Sequence, residues 1–329
     1  DGPELLLPSL DAVTGQAEWV GVPVGLFALV LLTRGLGQSA LSTVSLGLVG
    51  KAAGREPGPV IGFYSFLVSI GFMGAFGAVK VALEGWGTDW RGLWAGIGWI
   101  LVAAGVLAPV FVPNPVARAD ELSAPTDETG HTLAAAVRTP VFWVFGVATS
   151  LYGLIAAGVS LFNQSILAER NFDRSVFLTV TTLAPMIGLA ANLATGWLAT
   201  RIAMGRLLAV AMVVMAAALL AFPWVSSLTE VYAYATAMGV AGGMVTVLFF
   251  AVWRQAFGTK HLGQIQGAAQ LLTVLGSAAG PVLLAAGHRA SGSYVPSFRW
   301  LAVSALAVAL LAWFTRVPSP DDALKGNTP

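Results

Sequence analysis

The stretch RGLGQSALSTVSLGLVGKAAGREPGPVIGFYSFLVSIGFMGAFG, residues 34–77, decides how the rest of the chain is read. It holds an apolar segment with one arginine, a basic turn from Lys51 to Arg55, and a second apolar segment studded with glycine. The same pattern returns later. Sliding the chain against itself by 205 positions places Gly37 on Gly242, Arg55 on Lys260, Gly58 on Gly263, Gly62 on Gly267, Leu67 on Leu272, Gly71 on Gly276 and Gly87 on Gly292. Glycine is abundant, at 38 of 329 residues, yet one unbroken offset that keeps two Gly-x-x-x-Gly pairs and a cation in step points to an internal repeat.

Composition sets the solvent. The chain is 57% hydrophobic and 10% charged with a mean hydropathy of +0.79, against about 25% charged residues in an ordinary soluble domain. A water-soluble fold is excluded. A net charge of +1 carried by scattered cations gives no clustered surface for phosphates, so nucleic acid is not a partner. Cysteine is absent, which removes disulfides and thiolate metal sites. His131, His261 and His288 lie far apart in sequence, which argues against a histidine metal cluster or a His-dependent triad. No cofactor is implied, and the chain does not read as an enzyme: an intramembrane enzyme would need paired acids or a metal cluster at bilayer depth.

A spanning helix needs about 20 mostly apolar residues. Nine stretches qualify, at 22–49, 59–82, 92–112, 141–168, 176–199, 207–225, 231–252, 263–287 and 298–314. Inside the hydrocarbon each must be helical, because no water is present to satisfy free backbone groups. The fold class is therefore all-α, a polytopic membrane protein. Residues 113–138 hold three prolines, four acids and two arginines, which is linker composition. They divide three spans from six.

The offset of 205 pairs spans one, two and three with spans seven, eight and nine, and leaves spans four to six without partners. Those partners would precede residue 22, so the repeat predicts a parent of twelve helices in two six-helix bundles, with the first three helices absent. Residues 1–21, which lack a signal peptide's basic start and apolar core, then form an external loop. Residues 22–112 are the second half of the N-terminal bundle, 113–138 a cytoplasmic linker, 139–316 the C-terminal six-helix bundle and 317–329 a cytoplasmic tail. A cytoplasmic linker gathers ten of the 17 cations on its side and leaves six on the other, in agreement with the positive-inside bias.

The remaining cation is Arg34, the one ionisable residue near the middle of a span. It lies about 18 Å from either helix end at 1.5 Å per residue. A charge at that depth costs about 2.5–3.5 kcal/mol on insertion scales, so it is expected to face a wet cavity or an anion. No span contains an acid near its centre to serve as partner. A protein counter-ion, if there is one, belongs to the absent helices; otherwise substrate contact and a structural tie to helix carbonyls both account for Arg34. Tyr64, Tyr152, Asn192, Gln266 and Gln270 are further polar residues within spans, and helix-to-helix hydrogen bonding explains any of them without a ligand. The Gly-x-x-x-Gly pairs Gly58/Gly62, Gly239/Gly243, Gly263/Gly267 and Gly276/Gly280 are expected to let helix backbones approach, and Pro59, Pro185 and Pro281 offer bends.

The turn GWLATRIAMGR, residues 196–206, places Arg201 and Arg206 where they are expected to cap helix carbonyls or bind neighbouring helix ends. It resembles the loop motif of the major facilitator superfamily, Gly-x-Leu-Ala-Asp-Arg followed by Gly-Arg, through Gly196, Leu198, Ala199, Arg201, Gly205 and Arg206, with Thr200 in place of the family's acid. LTRGLGQ, residues 32–38, is similar to the family's fourth-helix pattern of Arg and Gly beside a polar residue. LFNQSILAERNFDRSVF and FGTKHLGQIQGAAQLLTVLGSAAGP look like the monocarboxylate and oxalate:formate porter branch.

What this resemblance implies is a transporter of that superfamily, covering its fourth to twelfth helices, with a gating turn at Gly196, Arg201, Gly205 and Arg206. Arg34, Gln38, Tyr152, Asn163 and Gln270 become the expected substrate-binding residues. The cargo is a small organic anion of monocarboxylate type, moved by alternating access as symport or antiport and coupled to protons. Oxalate is disfavoured because spans five and eight carry no cation. Efflux of a drug or metabolite is the alternative. The expected setting is a monomer in a cell membrane, a bacterial inner membrane.

Overall fold

The computed structural model describes residues 57–82, 86–87, 89–111, 130–258 and 260–317, together with residue 45. The chain divides into two compact units, residues 1–46 and 47–329. All described residues but residue 45 belong to the second unit, and span one, with Arg34 and Gln38, lies outside them.

The described residues are helical throughout, the one extended feature being an isolated bridge between Gly130 and Gly258. The helices are α1 (Pro57–Lys80), α2 (Trp90–Phe111), the short α3 (Leu133–Ala136), α4 (Pro140–Ala168), α5 (Arg174–Leu198), α6 (Met204–Ala221), α7 (Leu228–Phe257), α8 (Leu262–Ser291) and α9 (Val295–Phe314). Seven of them, α2 and α4 to α9, are long and apolar enough to cross a membrane. Each long helix falls on one of the nine expected stretches.

Where the ends differ from the apolar runs, local capping is the reason. α7 starts three residues before its run because Ser227 and Glu230 form a capping box, with Glu230 N–H donating to Ser227 Oγ at 3.3 Å and Ser227 N–H donating to Glu230 Oε2 at 3.0 Å. α8 continues to Ser291 and stops where Gly292 turns left-handed, at φ +69°. α6 gives way to a 3-10 turn, Phe222–Trp224, at Pro223. α5 begins at Asp173, whose carboxylate accepts from Ser175 N at 3.0 Å and Val176 N at 3.1 Å. These contacts, the Val176 amide first, hold that carboxyl below the usual carboxylate range.

Three helix pairs carry most of the packing: α4 with α8, α5 with α7, and α6 with α9. In the first two pairs the partners run parallel. Along α4, Gly146, Ser150, Gly153 and Gly158 meet Leu272, Gly276, Ser277 and Gly280 in the same order. Along α5, Gly188 meets Gly239 and Asn192 meets Gly243. α6 and α9 are antiparallel, with Gly205 at the start of α6 against the end of α9 at Ala312 and Thr315.

Within a bilayer lipid tails are as apolar as leucine, so helices associate by close packing rather than by leaving water. Glycine provides that packing here. A Cβ on Gly280 would run into the carbonyl of Leu154, one on Gly239 into that of Ala184, and one on Gly243 into that of Gly188. Gly263 and Gly267 depart from the expectation, since nothing lies within 4 Å of a Cβ at either. Gly267 stands nine residues before Gly276, which is half a turn out of phase at 3.6 residues per turn, so it faces away from α4. The surroundings of Gly58 and Gly62 lie outside the described residues.

α7 is the central helix, with 67% of its most apolar window buried. α1 packs on α5 and α7, whereas α2 has no buried residue in its apolar window. Pro185 and Pro281 sit inside α5 and α8 without interrupting either.

The linker's last nine residues, 130–138, pack on the bundle. His131 N–H donates to Phe257 O at 2.9 Å, and Gly130 packs so close to Lys260 that a Cβ would stand 3.0 Å from Lys260 Cβ. Thr132 caps α3, Ala136 is fully buried, and Trp143 Nε1 donates to Val137 O at 2.8 Å. The expected loop therefore ends as a strap across the α7–α8 turn.

Candidate functional site

Two adjacent glycines at the middle of α7 bring three helices together. Gly242 and Gly243 are residues 15 and 16 of the 30 in that helix, and successive helical positions point about 100° apart. Each glycine therefore serves a different neighbour. A Cβ on Gly242 would lie 2.6 Å from the phenol oxygen of Tyr152 on α4. One on Gly243 would lie 2.7 Å from Ala191 Cβ and 3.2 Å from Asn192 N on α5, besides striking the Gly188 carbonyl. Thr246 Oγ1 donates to Gly242 O at 2.8 Å, one turn further along.

Polar groups thus collect at bilayer depth: half-buried Tyr152, buried Asn192 and, one turn from Asn192, buried Thr195. A polar side chain inside a membrane is costly unless it is bonded or faces a wet path. This level of the fold is where polar side chains from α4 and α5 flank the central helix α7.

The other expected residues lie at different heights. Asn163 is eleven residues beyond Tyr152 on α4, about 17 Å along the axis. It is buried, its Nδ2 donates to Thr181 Oγ1 on α5 at 3.3 Å, and its Oδ1 is buried without a partner. Gln270 is half-buried on α8. Because Thr273 Oγ1 donates to Thr149 Oγ1 at 3.3 Å, Gln270 stands one turn on the linker side of that contact. Tyr152, Asn163 and Gln270 are thus strung along the bundle rather than gathered in one pocket. Arg34 and Gln38 lie outside the described residues.

Hydroxyls line the α4–α8 seam between these levels. Thr149 Oγ1 donates to Phe145 O at 2.9 Å, Ser150 Oγ to Gly146 O at 2.7 Å, and Thr273 Oγ1 also reaches Ala269 O at 3.2 Å. Each polar group finds a carbonyl in its own helix. The seam is small and polar, and its hydroxyls are bonded where the two helices pack closely.

The turn after α5 meets one of its two expected contacts, Arg206 resting on the end of a neighbouring helix, and not the other. Arg201 lies over the Trp197 ring at 4.3 Å and Arg206 over the Trp313 ring at 5.9 Å. Both arginines are exposed and rest on indoles, contacts worth about 0.5–1 kcal/mol at such sites. They do not cap carbonyls of α5, whose last turn holds no basic residue. Gly196 is buried, and Gly205 is the point where α6 touches the end of α9, since its Cβ would stand 2.7 Å from Ala312 O. Gly205 and Arg206 therefore fasten α6 to α9, and Arg201 stays on its own helix.

On the opposite side of the bundle the sequence reading missed Glu169, the residue after α4, and His288 in the last turn of α8, 3.3 Å apart. Their partners lie more than a hundred residues away, beyond any local pattern. The legible trace was a helix, α9, whose start at Tyr294 has no side-chain cap of its own. Among the described residues no group of three His, Asp or Glu side chains stands close enough to hold a metal ion.

Comparison with known proteins agrees with the helical architecture. The family model described as Major Facilitator Superfamily matches residues 12–281 and again 146–329. No curated protein matches the chain.

Proposed function

Since the chain belongs to the Major Facilitator Superfamily, whose members are membrane transporters, we propose that it moves a small organic anion of monocarboxylate type by alternating access, coupled to protons. One observation carries the choice of an anion. Arg34 is the only ionisable residue near the middle of an expected span, and no expected span carries a central acid to neutralise it. A cation at that depth, with no acid central to any expected span of this chain, is satisfied by an anionic cargo. Tyr152, Asn163 and Gln270 then serve successive positions along the path, with Gln38 one turn from Arg34. The turn holding Gly196, Arg201, Gly205 and Arg206 acts in gating.

The proposed setting is a monomer in a bacterial inner membrane. The cytoplasmic linker at 113–138 then joins the helices of residues 22–112 to the bundle of 139–316, with residues 1–21 external and 317–329 a cytoplasmic tail.

The test is uptake of labelled lactate, pyruvate or formate into liposomes holding the complete protein, with and without an imposed proton gradient. Saturable uptake that the gradient accelerates is the expected result, and Arg34→Ala is expected to lower it about tenfold or more, the scale of one lost charged contact. Undiminished uptake by Arg34→Ala removes that residue from the site. Absence of uptake for every carboxylate, with export of a larger solute, selects efflux.

A further inference from the structure

At the end of the bundle remote from the linker, one carboxylate joins three helices. Glu169 follows the last residue of α4. Its Oε1 accepts from Tyr294 N at 3.1 Å, its Oε2 from the same amide at 3.3 Å and from Ser293 Oγ at 3.1 Å, and Oε1 lies 3.3 Å from His288 Nε2. Tyr294 is the N-cap of α9 and its own side chain does not cap that start; Ser293 Oγ accepts from Val295 N at 3.2 Å, and the Tyr294 amide is left to Glu169. Glu169 therefore supplies from 125 residues away the negative oxygen that a helix N-terminus favours.

Tyr294 is held at its other end too. Its hydroxyl donates to Ser165 Oγ on α4 at 3.3 Å. Its ring lies 5.9 Å from Phe162 and 4.4 Å from His288, and the residue is 3% exposed. Backbone, ring and hydroxyl of one residue are thus plugged into α4 and the end of α8. This matters because packing is extensive within the α4–α8 pair and within the α6–α9 pair, and slight between the two.

We propose that Glu169 is a positioning residue that pins the α6–α9 pair to the α4–α8 pair through Tyr294, so that both pairs move as one body in the transport cycle. The inference rests on the transport reading for its functional half only. Within the α8–α9 turn the other ties are neutral, Ser291 Oγ donating to Gly287 O at 2.8 Å and to Ser293 O at 2.9 Å, whereas the carboxylate takes three donors from two elements. Loss of the pin leaves each pair intact, with its own glycine seam, and weakens the coupling between them to what the Tyr294 ring and hydroxyl still carry. The defect is then one of turnover rather than of cargo affinity.

Three variants of the complete protein in liposomes test this: Glu169→Ala, Glu169→Gln and, as a control, Asp173→Ala, which removes the local cap of α5 on the same side. Hydrogen exchange read by mass spectrometry over residues 288–298 is expected to quicken about tenfold in Glu169→Ala, the scale of one lost charge-assisted bond, and to be intermediate in Glu169→Gln, which keeps an acceptor for Tyr294 N–H. Maximal uptake is expected to fall about fivefold in Glu169→Ala with KM unchanged, within the range reported for coupling residues. Asp173→Ala, matched for loss of melting temperature, is expected to keep both. Should Glu169→Ala fail to fold, the Glu169→Gln comparison decides alone, through the same exchange and uptake readings. Unchanged exchange over 288–298 overturns the pin, and an equal loss of turnover in Asp173→Ala overturns its role in coupling. If the wild-type protein takes up no carboxylate, the transport reading fails while the exchange result still stands or falls separately.

Discussion

α1 and α8 are repeat partners that begin in step, at Pro57 and Leu262, 205 residues apart, as α2 and α9 do at Trp90 and Val295. Each first helix is followed by a left-handed glycine at the matching position, Gly87 at φ +61° and Gly292 at φ +69°. Their surroundings diverge. On α8, Gly276 and Gly280 are pressed against Ser150, Leu154 and Gly158 of α4. On α1, the matching Gly71 has nothing within 4 Å of a Cβ, and neither have Gly74 and Gly77. One pattern of small residues thus makes a sealed seam on α8, where α4 lies opposite, while the repeat counterpart of α4 that would face α1 falls before residue 22 and outside the described residues. Helix length and end are set by local sequence, and whether a glycine seals depends on what lies opposite.

The largest effect separates the two copies directly. Gly280→Leu must push its side chain into the Leu154 carbonyl, which belongs to backbone and cannot swing aside. A loss of about 3 kcal/mol, or failure to accumulate, is expected, the upper range for overpacking. In the chain of 329 residues, Gly71→Leu is expected to change stability by less than about 1 kcal/mol, since no described residue lies within 4 Å of a Cβ there and a helical glycine is itself about 0.5–1 kcal/mol worse than alanine. Thermal unfolding of both variants in the same detergent checks this. Equal losses would show that another element covers the Gly71 face, and the contrast between the copies would vanish.

A second contrast lies within one helix. Gly242 has Gly37 as its repeat partner, whereas Gly243 has Gln38. Gly242 gives room to a side chain, the Tyr152 phenol, and Gly243 to backbone, the Gly188 carbonyl. Gly242→Ala is expected to cost about 1–2 kcal/mol, and most of that cost is expected to disappear in a Tyr152→Phe background, where the nearest remaining ring carbon is 3.3 Å away. Gly243→Ala is expected to cost at least as much, with no relief from Tyr152→Phe. A double-mutant cycle on melting temperatures reads the difference. Coupling of equal size at both positions would mean that Tyr152 does not occupy the Gly242 notch.

These contacts mark how far sequence pattern reaches. Helix positions were legible because a bilayer demands about 20 apolar residues and leaves the backbone no choice but a helix. The glycines were legible as small residues, yet not by partner: Gly276/Gly280 meet α4, while Gly263/Gly267 point away from it. The turn at 196–206 was legible as basic and glycine-bearing, and the structure shows its arginines resting on Trp197 and Trp313, aromatic partners that nothing in the spacing specified. Glu169 was invisible because a carboxylate at a helix end reads as a surface charge until Tyr294 is brought beside it. Of the residues proposed for substrate binding, Tyr152 was legible as a polar group within an apolar helix and Asn163 through the resemblance of its segment, and only the packing distinguishes a phenol set in a glycine notch from an amide bonded to Thr181.

The smallest expected effect concerns what the two copies share. Gly87 and Gly292 both hold positive φ, and a Cβ at either would meet nothing within 4 Å. Alanine at such a position suffers only the backbone penalty of the left-handed region, about 1 kcal/mol. Gly87→Ala and Gly292→Ala are therefore expected to lower stability by the same small amount, even though one follows an open helix and the other a sealed one. Gly292→Asn is expected to recover part of the loss, because asparagine tolerates that conformation better than alanine does. Exchange rates of the amides just after each helix measure the effect locally. A loss at Gly292 several times that at Gly87 would show that the α8–α9 turn bears load from Tyr294 and Glu169, and that the repeat's shared turn has acquired a different duty in each copy.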